Sequence, residues 1–467
     1  MIENVKERQV VGKQKLIFES DWLASTPVFY NQKLGIASTS IHDVMPPAHE
    51  LSFHPEGLYN YLDFGYSVFE QTPILDVQFL PSSSRIYKKP DGSLMVKKLD
   101  DPIEKWWDYR LSEDDVVELI RARVHEWEEQ LPSDQEIVLP LSGGFDSRFL
   151  LWCIKDKSRV RAYTYGISQS QSDSAEVVHA RELARMFGLR WEQIPMGEQH
   201  HFFDEWDELF GVSTHAHGMY HFEFYSKIRK KLKGDHAFLS GIHGDRWAGS
   251  IPLRSIKSAN DLELLSYSHG LRADVRRQRL NASHSLRQQF WKNYCNRLDE
   301  HRMQLIYGAR FKEILLSYLM RVPRRFGFNS WSPFLDIDIA MSMLNLPPHR
   351  RNKRKWQQDF FRKVGLNLEE KGLQSSRQNN LNYQAVKQVP LAPLDENLLG
   401  SVVDKQYVQW INRHVKLSTW SDIHTAVSGV PKLGGLLRRA HLDSPFLRAY
   451  CAYLCLRPLE NVLRRKG

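Results

Sequence analysis

Residues 136–147, Glu136-Ile137-Val138-Leu139-Pro140-Leu141-Ser142-Gly143-Gly144-Phe145-Asp146-Ser147, hold the passage on which the fold turns. The apolar run to Leu141 reads as a strand, the two glycines as a tight loop, and Ser147 as the start of a helix. A strand that delivers such a loop to a helix N-terminus makes an anion nest: the glycine backbone approaches closely and amide N–H groups converge on phosphate-type oxygens. Ser142 and Ser147 add hydroxyl donors. Asp146 would repel such an anion unless a divalent cation lay between them, so it is a candidate Mg2+ ligand. No Gly-Lys-Ser/Thr follows, and the loop is therefore not a Walker A sequence. Leu141, Ser142, Gly143, Gly144, Asp146 and Ser147 form the first set of candidate phosphate-binding residues.

Outward from this loop the pattern alternates. Strand-like segments recur at 160–166 (VRAYTYG) and 236–240 (HAFLS), with a helix from about Asp173 to Phe187 after the first of them. That alternation predicts βαβ units around a parallel sheet, whose ligands sit at the carboxyl ends of the strands. Ser112-Glu113-Asp114-Asp115 is a capping-box pattern that opens a helical run, and it sets a boundary near residue 110. Residues 15–100 are short apolar runs broken by turns, Pro90-Asp91-Gly92 among them, so this part is expected to be β-rich. Beyond residue 260 the chain reads as helical, while 370–400 is polar and proline-bearing and is expected to be a mobile loop. The expected class is α/β: a β-rich domain over 1–110, a nucleotide-binding parallel-sheet domain over 111–370, and a helical C-terminal extension over 371–467.

Composition bounds the setting. A chain of 467 residues has room for two or three cores. Its four cysteines, Cys153, Cys295, Cys451 and Cys455, show no paired metal-ligand spacing and no disulfide framework, which favours a reducing compartment, with the cytoplasm as the expected location. No run approaches the roughly 18 to 20 apolar residues that span a bilayer. The formal charge of +9 would suit an anionic ligand. Much of the excess lies in 349–355 (HRRNKRK), in Leu437-Arg438-Arg439 and in Arg464-Arg465-Lys466, and the last two read as solvated basic faces. His215 and His217 resemble a metal pair by spacing, but with no third ligand nearby they read as loop residues.

The Ser142–Ser147 loop resembles that of the pyrophosphate-loop (PP-loop) ATP pyrophosphatases, and within them the asparagine synthetase family. Leu239-Ser240-Gly241-Ile242-His243-Gly244-Asp245-Arg246 is similar to the second loop of that family, with Asp245 where it carries a second magnesium-binding aspartate. Trp331-Ser332-Pro333-Phe334-Leu335-Asp336 resembles its Pro-Phe-Leu-Asp signature, and Leu346-Pro347-Pro348 follows in the same order. The resemblance covers about residues 112–375 and implies ATP and Mg2+ as cofactors, Asp146 and Asp245 as metal ligands, and Ser240 and Gly241 beside the nucleotide. It also implies a late charge-stabilising lysine, for which Lys353 and Lys355 are the candidates; His243, a departure from the family placed beside the pyrophosphate site, is a candidate donor and equally fits a loop histidine bonded to backbone. Gly166, closing the second strand, would let adenine approach, though Tyr163 and Tyr165 also fit alternate faces of a plain strand.

More weakly, Asp21 to Tyr30, Asp63-Phe64-Gly65-Tyr66 and Leu80-Pro81-Ser82 look like strands of the glutamine amidotransferase domain that precedes the synthetase domain in that family. That domain needs an N-terminal nucleophilic cysteine; residue 2 is Ile and no cysteine precedes Cys153, so a degenerate Ntn-amidotransferase-like domain without glutaminase activity is expected. The second loop departs too, with Ile242 where asparagine makers carry glutamate, His243 for glycine, and Arg246 for the following acid. The resemblance therefore implies an AMP-forming amide ligase that adenylates a small-molecule, sugar or peptide carboxylate and passes it to ammonia or an amine, supplied free, by a partner amidotransferase, or by the substrate itself. Asparagine synthesis from aspartate and ammonia, a tRNA-modifying PP-loop enzyme and a non-catalytic binding protein are the alternatives. The signature at 334–336 speaks against the second of these, so a nucleic-acid partner is not expected, and the retained Asp146 and Asp245 speak against the third.

Overall fold

The computed structural model describes residues 10–11, 14–252, 254–266, 271–417 and 445–466. The basic cluster Leu437-Arg438-Arg439 and the first nine residues lie outside the described residues.

The N-terminal part carries two antiparallel sheets, as its turn-rich text predicts. Strands β1 (Val10–Val11), β2 (Gln14–Glu19), β6 (Ser84–Lys88) and β7 (Leu94–Lys98) form one in the order β1-β2-β6-β7. Strands β3 (Phe29–Asn31), β4 (Ile36–Ser38) and β5 (Val77–Phe79) form the other in the order β4-β3-β5. The turn at Pro90-Asp91-Gly92 joins β6 to β7, with Gly92 N–H donating to the Lys89 carbonyl. Asp63-Phe64-Gly65-Tyr66 is not a strand. It ends helix α1 (Pro55–Phe64), which starts with proline in its first turn and the His54 ring capping the Gly57 amide, and stops at Gly65 in the left-handed region.

Helix α2 (Glu113–Glu129) opens on the expected capping box between Ser112 and Asp115. Then come β8 (Ile137–Pro140), α3 (Phe145–Cys153), β9 (Val160–Thr164), α4 (Ala175–Phe187), β10 (Arg190–Gln193), β11 (His236–Leu239) and β12 (Phe328–Trp331). These five strands form a sheet in the order β10-β9-β8-β11-β12, every pairing parallel. Both faces are covered, as parallel sheets require: Ile137 and Leu139 join the core beneath α2 and α3, while Val138 and Phe238 face the other way.

That second core continues beyond the sheet. It includes Phe29 and Leu58 from the N-terminal part and Tyr450 and Leu454 from the helix Pro445–Lys466. The Tyr61 hydroxyl donates to the Cys455 carbonyl at 2.9 Å, so the last helix seats on α1. Among the described residues no helix is long and apolar enough to cross a membrane, and the four cysteines are free.

Residues 370–400 are fastened to the sheet domain. Ser376 pairs with Ser174, the Asn380 N–H donates to the Ile167 carbonyl at 2.7 Å, and Gln384 bonds Gln171 and the Ser168 carbonyl. Two short helices, Leu381–Gln388 and Glu396–Leu399, lie within this stretch. The amide side chain of Gln384 supplies several of these bonds, and a count of loop-forming residues could not foresee them.

Candidate active site

The first loop leaves β8 at its carboxyl end. Leu141 is still tied to β9 on both sides, its N–H donating to the Tyr163 carbonyl at 2.9 Å and its carbonyl accepting from the Thr164 hydroxyl. Gly143 has φ +67°, and a Cβ there would sit 2.2 Å from the Cβ of His179 on α4, so only glycine fits. Gly144 then caps α3, with its N–H donating to Ser142 Oγ at 3.3 Å. The Ser142 and Ser147 hydroxyls lie 3.2 Å apart. A helix leaves its first amides without intrahelical partners, so the N-terminus of α3 presents donors into the space the two serines border.

Arg148 braces this loop from behind. Its buried guanidinium donates to the Gly143 carbonyl at 2.7 Å and the Leu366 carbonyl at 3.0 Å, and makes a two-pronged bond with Glu369, both contacts 2.9 Å. Removing it leaves the Gly143 carbonyl and Glu369 without their donor. Arg148→Ala is expected to lower stability by on the order of 3 kcal/mol. A urea melt checks this, and a loss under about 0.5 kcal/mol would mean that the brace carries little.

The second loop follows β11. The Ser240 N–H donates to the Trp331 carbonyl at 2.8 Å, which ties the loop to β12. His243 lies in the left-handed region with φ +65° and caps the short helix Gly244–Ala248. Gly244 is needed for close approach, since a Cβ there would meet Asp146 Cγ and Phe334 Cε2 at 2.8 Å each. The two loops thus touch, and Asp245 faces Asp146. Asp146 Oδ1 is buried without a hydrogen-bond partner. Burial, and then the charge of Asp245, push its carboxyl up to about 8, while the Arg354 guanidinium, 4.0 Å away, pulls the other way. Asp245 is exposed and accepts a bond from Ser250 Oγ at 3.1 Å.

Two opposed carboxylates, one with an orphaned oxygen, fit a hard divalent cation. Mg2+ is held by one or two carboxylates plus phosphate oxygens and water. Among the described residues no cluster of three or more His, Cys, Asp or Glu side chains forms a fuller metal cage.

The loops open onto a cavity of about 610 Å³ at the carboxyl end of the sheet. Leu141, Ser142, Asp146, Ser147, Ser240, Gly241, His243 and Asp245 all line it. Tyr163 and Tyr165 line it too, and Asn379, Leu381 and Asn382 of the fastened segment border it. Gly166 does not face it. A Cβ at Gly166 would lie 2.0 Å from the Gln171 carbonyl, so the glycine is required by the chain's own fold-back, not by an approaching base.

The two late lysines are not part of this cavity. Lys353 and Arg354 are both in the left-handed region, at φ +53° and +58°, and the turn they make leaves Lys353 and Lys355 exposed. Arg354 is the residue turned inward, lying over the Phe145 ring at 4.4 Å and beside Asp146. The lysine that lines the cavity is Lys312, on the helix His301–Leu316. Burial and Arg246 push its ammonium down to about 8, against the pull of Asp245. His243 is also engaged. Its Nε2 lies 2.8 Å from Glu313 Oε2 in a fully buried pair. Sequence reading missed Arg148, Lys312, Glu313 and Arg354. The one signal for two of them was a pair of adjacent charges, Lys312-Glu313, inside an otherwise apolar helical run.

Pro333-Phe334-Leu335 serves as scaffold: the Trp247 indole donates to the Phe334 carbonyl at 2.9 Å and the Trp22 indole to the Leu335 carbonyl at 2.8 Å. Asp336 is clamped by Arg123. The signature therefore positions the second loop and ties it to the N-terminal sheets.

Comparison with known proteins agrees with this arrangement. Residues 120–377, more than half the chain, match the family model for asparagine synthase. The chain belongs to the asparagine synthase family, whose members are ATP-using enzymes that form C–N bonds. No curated protein shows a significant match. Among solved structures, the NH3-dependent NAD synthetase of Campylobacter jejuni in complex with nitrate is 14% identical, with a TM-score of 0.25 over 45% of this chain and 97% of that one. The glutamine-dependent NAD+ synthetase of Acinetobacter baumannii in complex with ADP is 16% identical, with a TM-score of 0.23 over 55% of this chain and 52% of that one.

Proposed function

We propose that this protein uses ATP and Mg2+ to adenylate a substrate carboxylate and then transfers the acyl group to ammonia or an amine, without a glutaminase of its own. The observation that carries the proposal is the facing pair Asp146 and Asp245, one on each loop, above the cavity to which the N-terminus of α3 adds its amides. In this reading Asp146 and Asp245 hold the cation, which when bound neutralises the phosphate oxygens and polarises the α-phosphate. The amides of the first loop, with Ser142 and Ser147, orient the β- and γ-phosphates. Lys312 on the cavity wall and Arg354 beside Asp146 supply positive charge that stabilises pyrophosphate as it leaves. The 370–400 segment, with Asn379 and Leu381 on the cavity wall, limits water access to the acyl-adenylate.

Residues 1–110 are proposed to be a degenerate amidotransferase-like domain, a reading supported by their two antiparallel sheets and by the lack of any cysteine among them. Ile242 lines the cavity where a polar residue would be needed to hold an aspartate amine, so the substrate is proposed to be a different carboxylate.

The test is pyrophosphate release from ATP and Mg2+ with a panel of carboxylates, namely aspartate, uronic-acid sugar nucleotides and acidic peptides, each with and without ammonium. Release dependent on one class supports the proposal and names the substrate. Silence across the panel in a protein that still binds ATP would overturn it.

A further inference from the structure

A second cavity, of about 300 Å³, lies between the N-terminal sheets and the helix His301–Leu316. It is at the small end of the range for small-molecule pockets. Its body is aromatic: Phe69, Phe290 and Phe311 form a cluster with ring centroids 4.7 to 5.5 Å apart, flanked by Tyr294 and Tyr307. One wall is a tight turn in which Val68 pairs with Gln71, and the two central residues, Phe69 and Glu70, have φ of +55° and +63°. Side-chained residues rarely occupy that region twice in succession, and here the turn presents an aromatic ring and a carboxylate to the cavity.

The cations of this cavity are largely taken up. Arg310 is closed off by a two-pronged bond to Asp101, at 2.7 and 2.9 Å, and Arg297 is bonded to Glu104 outside it. Lys98 donates to the Tyr294 hydroxyl. Of the remaining carboxylates Asp100 is exposed, Glu70 has Lys98 as its counter-charge, and Glu313 has His243 and Arg246. Glu313 is 2% exposed; its Oε2 meets His243, and its Oε1 is buried with no partner. Glu313 belongs to the wall of this cavity and His243 to the wall of the ATP-site cavity, so one hydrogen-bonded pair separates the two chambers.

We propose that this cavity binds a small primary amine with an apolar or aromatic body, its ammonium on Glu313 Oε1. An ammonium there supplies the missing donor to a buried carboxylate, and the aromatic cluster takes the body of the ligand and adds cation–π attraction. Burial pushes the Glu313 carboxyl up, and a bound cation would hold it ionised. The further step, that this amine is the nitrogen nucleophile, rests on the ligase reading above: the ammonium first gives a proton to the Glu313–His243 pair, which lies between the two cavities, and the freed amine then attacks the acyl carbon as AMP leaves.

The test is calorimetric titration of the full chain with phenethylamine and, in parallel, with its uncharged analogue 2-phenylethanol, with no ATP or carboxylate present. The expected result is saturable one-to-one binding of the amine, with the alcohol weaker by about tenfold or more. Glu313→Gln should weaken the amine by a similar factor and leave the alcohol unchanged. Ser82→Trp, which puts an indole into the cavity from the opposite part of the chain while leaving Glu313 itself unchanged, should abolish both and keeps the test open if the first variant does not fold. Equal affinity for amine and alcohol, absence of saturation, or undiminished binding in Ser82→Trp would overturn the proposal. Because the titration contains no ATP, a silent pyrophosphate assay defeats the ligase reading and leaves the amine site standing.

Discussion

Asp146→Asn is expected to lower Mg2+-dependent pyrophosphate formation by about a thousandfold or more, because in the proposed mechanism it removes a ligand from a cation that supplies several kcal/mol of charge stabilisation. The same change is expected to raise the melting temperature of the metal-free protein. In that state Asp146 Oδ1 is buried without a partner and faces the like charge of Asp245, with Arg354 at 4.0 Å as partial relief. With its carboxyl pushed up to about 8, Asp146 must take up a proton on folding at neutral pH; an amide removes that cost, and a gain of about 1–2 kcal/mol corresponds to roughly 1–2 °C for a chain of this size. Addition of Mg2+ should raise the melting temperature of the wild type and not that of the variant. Scanning calorimetry with and without the metal decides the matter: a variant that loses activity and also melts lower without metal would show that Asp146 holds the fold together and is not strained for function.

The second large effect concerns the lysine. Lys312→Met, close in volume and uncharged, is expected to reduce pyrophosphate formation by about a hundredfold to a thousandfold, the range found when one donor to a developing negative charge is removed. Lys353→Ala and Lys355→Ala are expected to stay within about threefold of wild type, as exposed charges outside the cavity do. Initial rates with the activating carboxylate measure all three. Strong loss in Lys353→Ala with none in Lys312→Met would return the role to the late basic cluster and imply that the turn at Lys353 and Arg354 rearranges when ATP binds.

These residues show where a sequence is readable and where it is not. The first loop was legible because its requirements are local: Gly143 must take a positive φ, and the strand before it and helix after it follow from periodicity over a few residues. The parallel sheet was legible for the same reason, from strands alternating with helices. Lys312 was not, because it lies 166 positions after Asp146 in the chain and reaches the cavity only through the packing of its helix. Nor was Arg354: in a run of six basic residues within seven, spacing cannot say which one turns inward, and the answer depends on two successive left-handed residues. The α1 segment read as strand-like because Asp63-Phe64-Gly65-Tyr66 was judged without its start, where Pro55 and the His54 cap set a helix. The basic cluster Arg464-Arg465-Lys466, expected to be a solvated face, is exposed, with Arg464 also bonded to Glu460 and Arg465 to Asp207.

The seat of the last helix on α1 bears on how the chain reaches its native state. Tyr61 is fully buried beneath residues more than 390 positions later, and the His200 ring meets the Tyr450 hydroxyl at 2.9 Å. During synthesis α1 therefore emerges from the ribosome long before the helix that seats on it exists. At about 5–20 residues per second this wait lasts tens of seconds, during which apolar faces that belong against Tyr450 and Leu454 stand open to water. The order of translation thus runs opposite to the order in which this core can close, and residues 445–466 act as the latch of the whole chain.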